Sequence, residues 1–282
     1  MDCHVHVDDI CICNPQVAKH FKQKVGDVKW KGGTTEQHVR HIEKDNIEQM
    51  YALYEKPESV VALREASPHC DVRAMLFVRD VSNVDEQHLE ELHKQDLLQG
   101  LKVHPVADNY ELTTQNLRKV LSVASRFNLP VLYHSDERER FMSLTSPELQ
   151  EELIRENPEV RFIIGHGGAY AHPRLVGEHP NVKAYWNGSK GAPYPRTHLV
   201  QSALSLATNH DNAFYDLSIA TNAIKAKLIA RFVDENPDLA EKILIGTDFP
   251  IGFASAQSQL NSLKEAGLKK AYLERIAANR LE

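Results

Sequence analysis

The chain has 282 residues, 42% of them hydrophobic and 26% charged, with a formal net charge of -6. That length and apolar content can bury one large core or two ordinary ones, while the acidic balance and the scattered Lys and Arg residues exclude an electrostatic footprint for nucleic acid. No apolar run reaches the roughly 18 residues of a membrane span, and the N-terminus has no signal-peptide pattern. Four cysteines, of which only Cys11 and Cys13 are close together, do not make a secreted disulfide framework, so a reducing cytoplasm is the expected location.

The first seven residues, MDCHVHV, read as a buried strand. Side chains at i and i+2 of a strand share a face, which places His4 and His6 to grip one divalent ion from the same side. Residues 8–33, with Pro15, Gly26 and Gly32-Gly33, form a connection longer than about 12 to 15 residues, the kind that builds a wall of a site. Cys11 and Cys13 within it lack a second cysteine pair and are read as reduced thiols, not as a zinc set. Thr34 or Thr35 caps a helix whose apolar side carries Val39, Ile42 and Ile47, before QMYALY at 49–54 turns strand-like. Pro57 opens the next helix, with Val60, Val61 and Leu63 toward the core, and VRAMLFV at 72–78 is a run buried on both faces.

A helix over 84–98 leads to the strand GLKVHP, and 114–127 is amphipathic, with Leu117, Val120, Leu121, Ala124 and Phe127 at helical spacing. PVLYHS follows as a strand. A helix over 146–157 begins at Ser146-Pro147 and stops before Pro158, and RFIIGHGG is the next strand. Residues 169–212 mix proline, glycine and strand signals and are read as a short strand and a loop excursion. From FYDLS the alternation resumes: a helix over 221–234 carrying Ile224, Leu228, Ile229 and Phe232, a strand over 242–247 inside KILIGTDFP, and helical sequence to about 280. No repeat and no linker interrupts it, so the expected unit is one domain over 1–282.

Eight strands alternating with helices at this length predict a (β/α)8 barrel. A doubly wound sheet is disfavoured because no GxGxxG follows any strand. His4, His6, Lys102, His104, His134, His166 and Asp248 all fall at or near the C-terminal ends of strands, where such barrels keep their active sites.

Taken together, HVH on the first strand, the histidines of YHS and GHGG, and the aspartate of GTDFP resemble the amidohydrolase superfamily. Within it, they are similar to the amidohydrolase-related branch of small metal-dependent hydrolases and aminocarboxymuconate-semialdehyde-type decarboxylases, and AANRL near the C-terminus resembles the segment that closes many members. The resemblance covers nearly the whole chain. It implies that His4, His6, His134 and Asp248 are metal ligands and that His166 acts near the reacting carbon. Lys102 stands on the fourth strand, where binuclear members use a carboxylated lysine between two ions. One ion per chain is the preferred reading, with zinc expected and manganese or a similar ion as the alternative, and a second ion if Lys102 is carboxylated. Lys102, His104 and Arg138 are then candidates for holding a substrate carboxylate, Arg79, Lys190 and Arg196 are further anion holders, and Asp2 is a candidate for orienting a ligand.

The chemistry of the donors agrees, because a catalytic zinc lowers the pKa of a bound water from about 15.7 to about 7, and a carboxylate such as Asp248 can both hold the ion and accept a proton. The leading expectation is therefore a hydrolase of a small, carboxylate-bearing amide, lactone or ester, with Asp248 and His166 managing protons. A non-oxidative decarboxylase or hydratase on the same residues is the second reading, and a non-catalytic metal-binding barrel the third. The expected partners are a small molecule and, as an open question, a second copy of the chain, with no nucleic acid and no membrane.

Overall fold

The computed structural model describes residues 1–8, 10–12, 28–30, 33–135, 143–168, 197–218, 223–250 and 255–281. Strand β1 (Asp2–His6) is followed by a small antiparallel pair, β2 (Ile10–Ile12) and β3 (Val28–Trp30). Then come β4 (Gln49–Tyr54), β5 (Asp71–Val78), β6 (Gly100–Val103), β7 (Val131–His134), β8 (Phe162–Gly165), β9 (Ala213–Asp216) and β10 (Ile243–Leu244). β1 and β4 to β10 form one sheet of eight strands in chain order, every pair parallel. The first and last strands meet through Cys3 N to Ile245 O (2.7 Å), Asp248 N to His4 O (2.8 Å) and His6 N to Phe249 O (2.8 Å). These bonds bring the edges together, as the eight-strand alternation predicts for a (β/α)8 barrel.

The helices are α1 (Thr35–Asp45), α2 (Pro57–Ala66), α3 (Glu86–Lys94), α4 (Pro105–Asp108), α5 (Thr114–Arg126), α6 (Pro147–Glu156), α7 (Thr197–Asn209), α8 (Ala223–Glu235), α9 (Ala256–Glu265) and α10 (Lys270–Ala278). Their starts follow local chemistry. Thr34 caps α1 in a capping box, its hydroxyl accepting from Gln37 N while Gln37 Oε1 accepts from Thr34 N. Pro57 sits in the first turn of α2, where a missing N–H costs nothing, and Ser146 caps α6 ahead of Pro147.

Two apolar layers result. Met1, Cys3, Tyr51, Leu53, Met75, Leu132, Ile163 and Leu244 form one buried cluster, joined by Leu281 from the C-terminal segment. Larger clusters fill the space between strands and helices, for example Val103, Val131 and Ile164 with Leu117, Val120 and Ala124 of α5. A parallel barrel needs this double burial, because each strand is covered on both faces.

The structure corrects several sequence expectations. Residues 8–33 contain the β2–β3 pair, and the side chains of 9–32, including Cys11 and Cys13, lie outside the described residues. The expected helix over 84–98 is α3 alone, preceded by a short 3-10 turn at Val81–Asn83 and begun by the Asp85 cap. Part of the 169–212 segment is the regular helix α7, and 169–196 lies outside the described residues. Val61 and Ile224, assigned to core faces, are each 40% exposed. In α8 the buried face is instead Lys225, Ala226, Ile229, Ala230 and Val233. The expected strand over 242–247 is only the two residues of β10, the chain beyond it continuing alongside β1 by single bonds.

Close packing inside the barrel makes one glycine a sensitive point. A Cβ added to Gly165 at the end of β8 would overlap the backbone carbonyl of Tyr133 on β7, which cannot swing away. Gly165→Ala is expected to lower stability by about 1 to 3 kcal/mol, read as a fall in the urea midpoint at unchanged m-value. An unchanged midpoint would show that β7 and β8 are not packed this closely.

Candidate metal centre

Each strand end contributes through its local geometry. β1 carries His4 and His6, both buried, with ring centroids 5.2 Å apart. The turn after β10 brings in Asp248, whose Oδ1 lies 3.1 Å from His6 Nε2 and 3.4 Å from His4 Nε2. The turn after β8 delivers His166, its ring 4.9 Å from that of His4. β7 ends in His134, 4.7 Å from His166 and edge-on to it, with His166 Nε2 3.1 Å from His134 Nδ1.

Two of these residues have left-handed backbones, His166 with φ 58° and Asp248 with φ 57°. All the other non-glycine residues with positive φ among the described ones are Asn or Asp, types that tolerate this conformation. His166 is the one histidine among them. Strain of about 1 to 3 kcal/mol at a buried polar residue is typical of functional sites, and here it turns a side chain inward just where β8 stops.

Asp216, at the end of β9, was not singled out from the sequence, yet it organises the cluster. Its Oδ2 accepts from His4 Nδ1 (2.8 Å), Ser218 Oγ (2.6 Å) and His166 N (3.0 Å), and its Oδ1 accepts from Ser218 N (2.8 Å) and, more weakly, from Cys3 Sγ (3.7 Å). The signal was present, since Asp216 ends β9 as His134 ends β7. Lys225 of α8 was also missed. Its buried Nζ donates to the carbonyl of His166 at 2.6 Å and so fixes the turn from below.

Two sets of three donors lie close enough to share an ion, His4 with His6 and Asp248, and His4 with His166 and Asp216. Asp216 is already saturated by hydrogen bonds and cannot ligate without losing them. His4 Nε2 and Asp248 Oδ2, by contrast, are buried with no hydrogen-bond partner among the described residues. Buried polar atoms are rarely left so, and a mixed nitrogen and oxygen set suits zinc or manganese. His4, His6 and Asp248 therefore fit a divalent ion, and His4 Nδ1 on Asp216 is the outer hydrogen bond that commonly orients a ligating imidazole.

The remaining expected residues fall around this centre. Lys102 on β6 is 1% exposed and its Nζ has no hydrogen-bond partner among the described residues. Burial pulls its pKa down to about 8 against the attraction of Asp248 and Asp216. His104 stacks on His134 at 3.8 Å, and its Nδ1 is taken up in accepting from Ala107 N at 3.0 Å, which leaves only its Nε2 edge for a substrate. Arg79 is ion-paired with Asp108 at 3.1 Å. Asp2 does not touch the ring of His4 or His6: it accepts from Thr247 N and Oγ1, from His4 N, and faces His41 Nε2 at 3.1 Å. Arg138, Lys190 and Arg196 lie outside the described residues.

The family model described as Amidohydrolase matches residues 1–252. No curated protein matches the chain by sequence. Among solved structures, a probable 2-pyrone-4,6-dicarboxylic acid hydrolase from Acinetobacter baumannii, with citric acid bound, aligns at TM-score 0.60 and 16% identity over 98% of this chain and 94% of its own. The 5-carboxyvanillate decarboxylase of Sphingomonas paucimobilis aligns at 0.56 and 11% over 88% and 82%. That of Novosphingobium aromaticivorans, with bound manganese, aligns at 0.54 and 8% over 87% and 79%. At these identities the likeness is one of fold. No helix among the described residues is long and apolar enough to cross a membrane.

Enclosing so many imidazoles has a price in acid. Burial drives His6 down to about 4 although Asp248 pulls it up, and burial likewise holds His104 and His166 well below the ordinary value. Between about 6.5 and the folded value the unfolded chain binds protons that the folded chain refuses, so stability rises with pH across that window and is lost as pH falls through it. For the chelator-treated protein, His6 alone contributes a loss of about 2 to 3 kcal/mol between about pH 7 and about pH 4. Urea titrations across that range should show the slope, and His6→Asn should flatten part of it. A wild-type midpoint independent of pH would contradict the burial of these rings.

Proposed function

The chain belongs to the amidohydrolase family, and on that premise we propose that it is a metal-dependent hydrolase of a small, carboxylate-bearing amide, lactone or ester. The observation that carries this reading is the buried donor set of His4, His6 and Asp248, two of whose atoms lack any other partner among the described residues.

A divalent ion held there supplies Lewis-acid polarisation of a substrate oxygen and a water acidic enough to react at neutral pH. His4, His6 and Asp248 would hold it, with His134 as the further ligand that the family resemblance implies. Asp248 keeps a second oxygen to accept the proton of the attacking water. Its pKa is held below the ordinary carboxylate value, burial being outweighed by His4, His6 and Lys102. It is therefore ionised, as a proton acceptor must be. His166 is the second proton carrier: a neutral ring beside His4 and His134, its Nδ1 2.8 Å from Ser218 Oγ. Lys102 supplies a cation, or near neutral pH a mixture of cation and amine, for a substrate carboxylate. If its amine is instead carboxylated to hold a second ion, turnover would depend on bicarbonate.

Non-oxidative decarboxylation is the second reading. It is favoured by the fold shared with the two 5-carboxyvanillate decarboxylases, as hydrolysis is by the fold shared with the pyrone dicarboxylic acid hydrolase. A panel of aromatic and lactone carboxylic acids separates the two, since hydrolysis yields a new acid group and decarboxylation yields carbon dioxide.

Metal content measured beside turnover tests the roles. The wild type is expected to carry about one zinc or manganese per chain and to lose activity on chelation. His4→Ala and His6→Ala should lose both ion and turnover. His166→Asn should keep its ion while turnover falls by about 10² to 10⁴, with Asp248→Asn between the two patterns. A chelated protein that stays fully active would overturn the mechanism, and a His166 variant as metal-poor as the His4 variant would make His166 a ligand.

A further inference from the structure

The donors around Asp216 admit only one arrangement of protons. An ionised carboxylate accepts and never donates. Ser218 Oγ lies 2.6 Å from Asp216 Oδ2, so the single proton of this hydroxyl is committed to Asp216. Toward His166 Nδ1, 2.8 Å away, Ser218 Oγ is then an acceptor, and His166 Nδ1 must carry the proton. In a neutral imidazole the other nitrogen bears the lone pair. His166 Nε2 therefore accepts, and His134 Nδ1, at 3.1 Å, donates to it. By the same rule His134 Nε2 bears a lone pair. On the other branch His4 Nδ1 donates to Asp216 Oδ2 at 2.8 Å, which leaves the lone pair of His4 on Nε2, the atom that faces Asp248 at 3.4 Å. Reversing any one link would set two lone pairs or two protons against each other at 3.1 Å or less.

We propose that Asp216 and Ser218 are positioning residues that fix His4, His166 and His134 in the Nδ1–H tautomer, so that one buried carboxylate decides which nitrogen of each of the three rings carries the proton and which the lone pair. The pair thus reaches His4 directly and His134 at two removes, through Ser218 and His166. Ligation requires a bare nitrogen, and the tautomer of a ligating histidine is set by the bond its other nitrogen makes. The metal-centre reading gives this relay its purpose, but the relay is testable without it. Gly246 belongs to the same device, since a Cβ there would overlap Asp216 Oδ1 and crowd His4 Cβ at 3.0 Å.

The test is a long-range proton–nitrogen correlation spectrum of the uniformly ¹⁵N-labelled full-length chain, which separates Nδ1–H from Nε2–H imidazoles without any substrate. Signals of His4, His134 and His166 are assigned by replacing each in turn with asparagine. All three are expected to show the Nδ1–H pattern. In Ser218→Ala, His166 and His134 should move toward the Nε2–H form or a mixture while His4 keeps its pattern, because its bond to Asp216 is direct. In Asp216→Asn, His4 should change as well. An Nε2–H pattern at His166 in the wild type overturns the proposal, and so does an unchanged His166 in a folded Ser218→Ala protein; if that variant does not fold, the wild-type spectrum still decides. A protein with these tautomers that binds no metal and turns over nothing would defeat the functional reading and leave the relay standing.

Discussion

His4 is the residue on which the rest of the site depends, because its two nitrogens face opposite ways. Nδ1 is tied to Asp216 at 2.8 Å and Nε2 looks toward Asp248 at 3.4 Å. The ring thus joins β9 to the turn beyond β10 across the mouth of the barrel, and its orientation is fixed from behind. An imidazole held in this way loses little freedom on meeting an ion, which is how an outer hydrogen bond strengthens a metal site.

That geometry holds only if the barrel closes in the right register. Closure rests on few bonds, since β10 is two residues long. Asp2 compensates. Its carboxylate accepts from both the backbone and the hydroxyl of Thr247 and from His4 N, so the strand that carries His4 and the turn that carries Asp248 are joined by one buried side chain. From α1, His38 reaches His6 O at 3.0 Å, and His41 stacks on Phe249 at 4.4 Å. These polar ties are buried and mutually satisfied, the condition under which a polar network rigidifies a site instead of weakening it. This network holds the left-handed turn at Asp248, while the one at His166 is held by Asp216 and Lys225.

Much of this was legible in the sequence, because alternation and strand ends are written locally. QMYALY is β4 without adjustment, and the rule that barrel sites collect at C-terminal strand ends located His4, His6, His134, His166 and Asp248 in one region. The same rule applied to FYDLS would have yielded Asp216. The rule alone does not single it out, because an aspartate near the end of a strand is also an ordinary turn former. Lys225 was invisible for another reason: helical periodicity in α8 marks an apolar stripe but not its phase, so Ile224 was assigned inward and is exposed, while the buried face passes through a lysine. The link from Asp2 to Thr247 depends on how strands at opposite ends of the chain meet, which no local pattern encodes. The helix α7 was obscured by the proline and glycine signals just before it.

The claim that His4, His6 and Asp248 form a metal centre is tested most directly by X-ray diffraction from crystals of the full chain grown with zinc, recorded on both sides of the zinc absorption edge. The account requires an anomalous peak about 2.0 to 2.2 Å from His4 Nε2, His6 Nε2 and an oxygen of Asp248, with His4 Nδ1 still on Asp216. A map with no peak among these atoms, or with the ion held by Asp216 in place of Asp248, would contradict it.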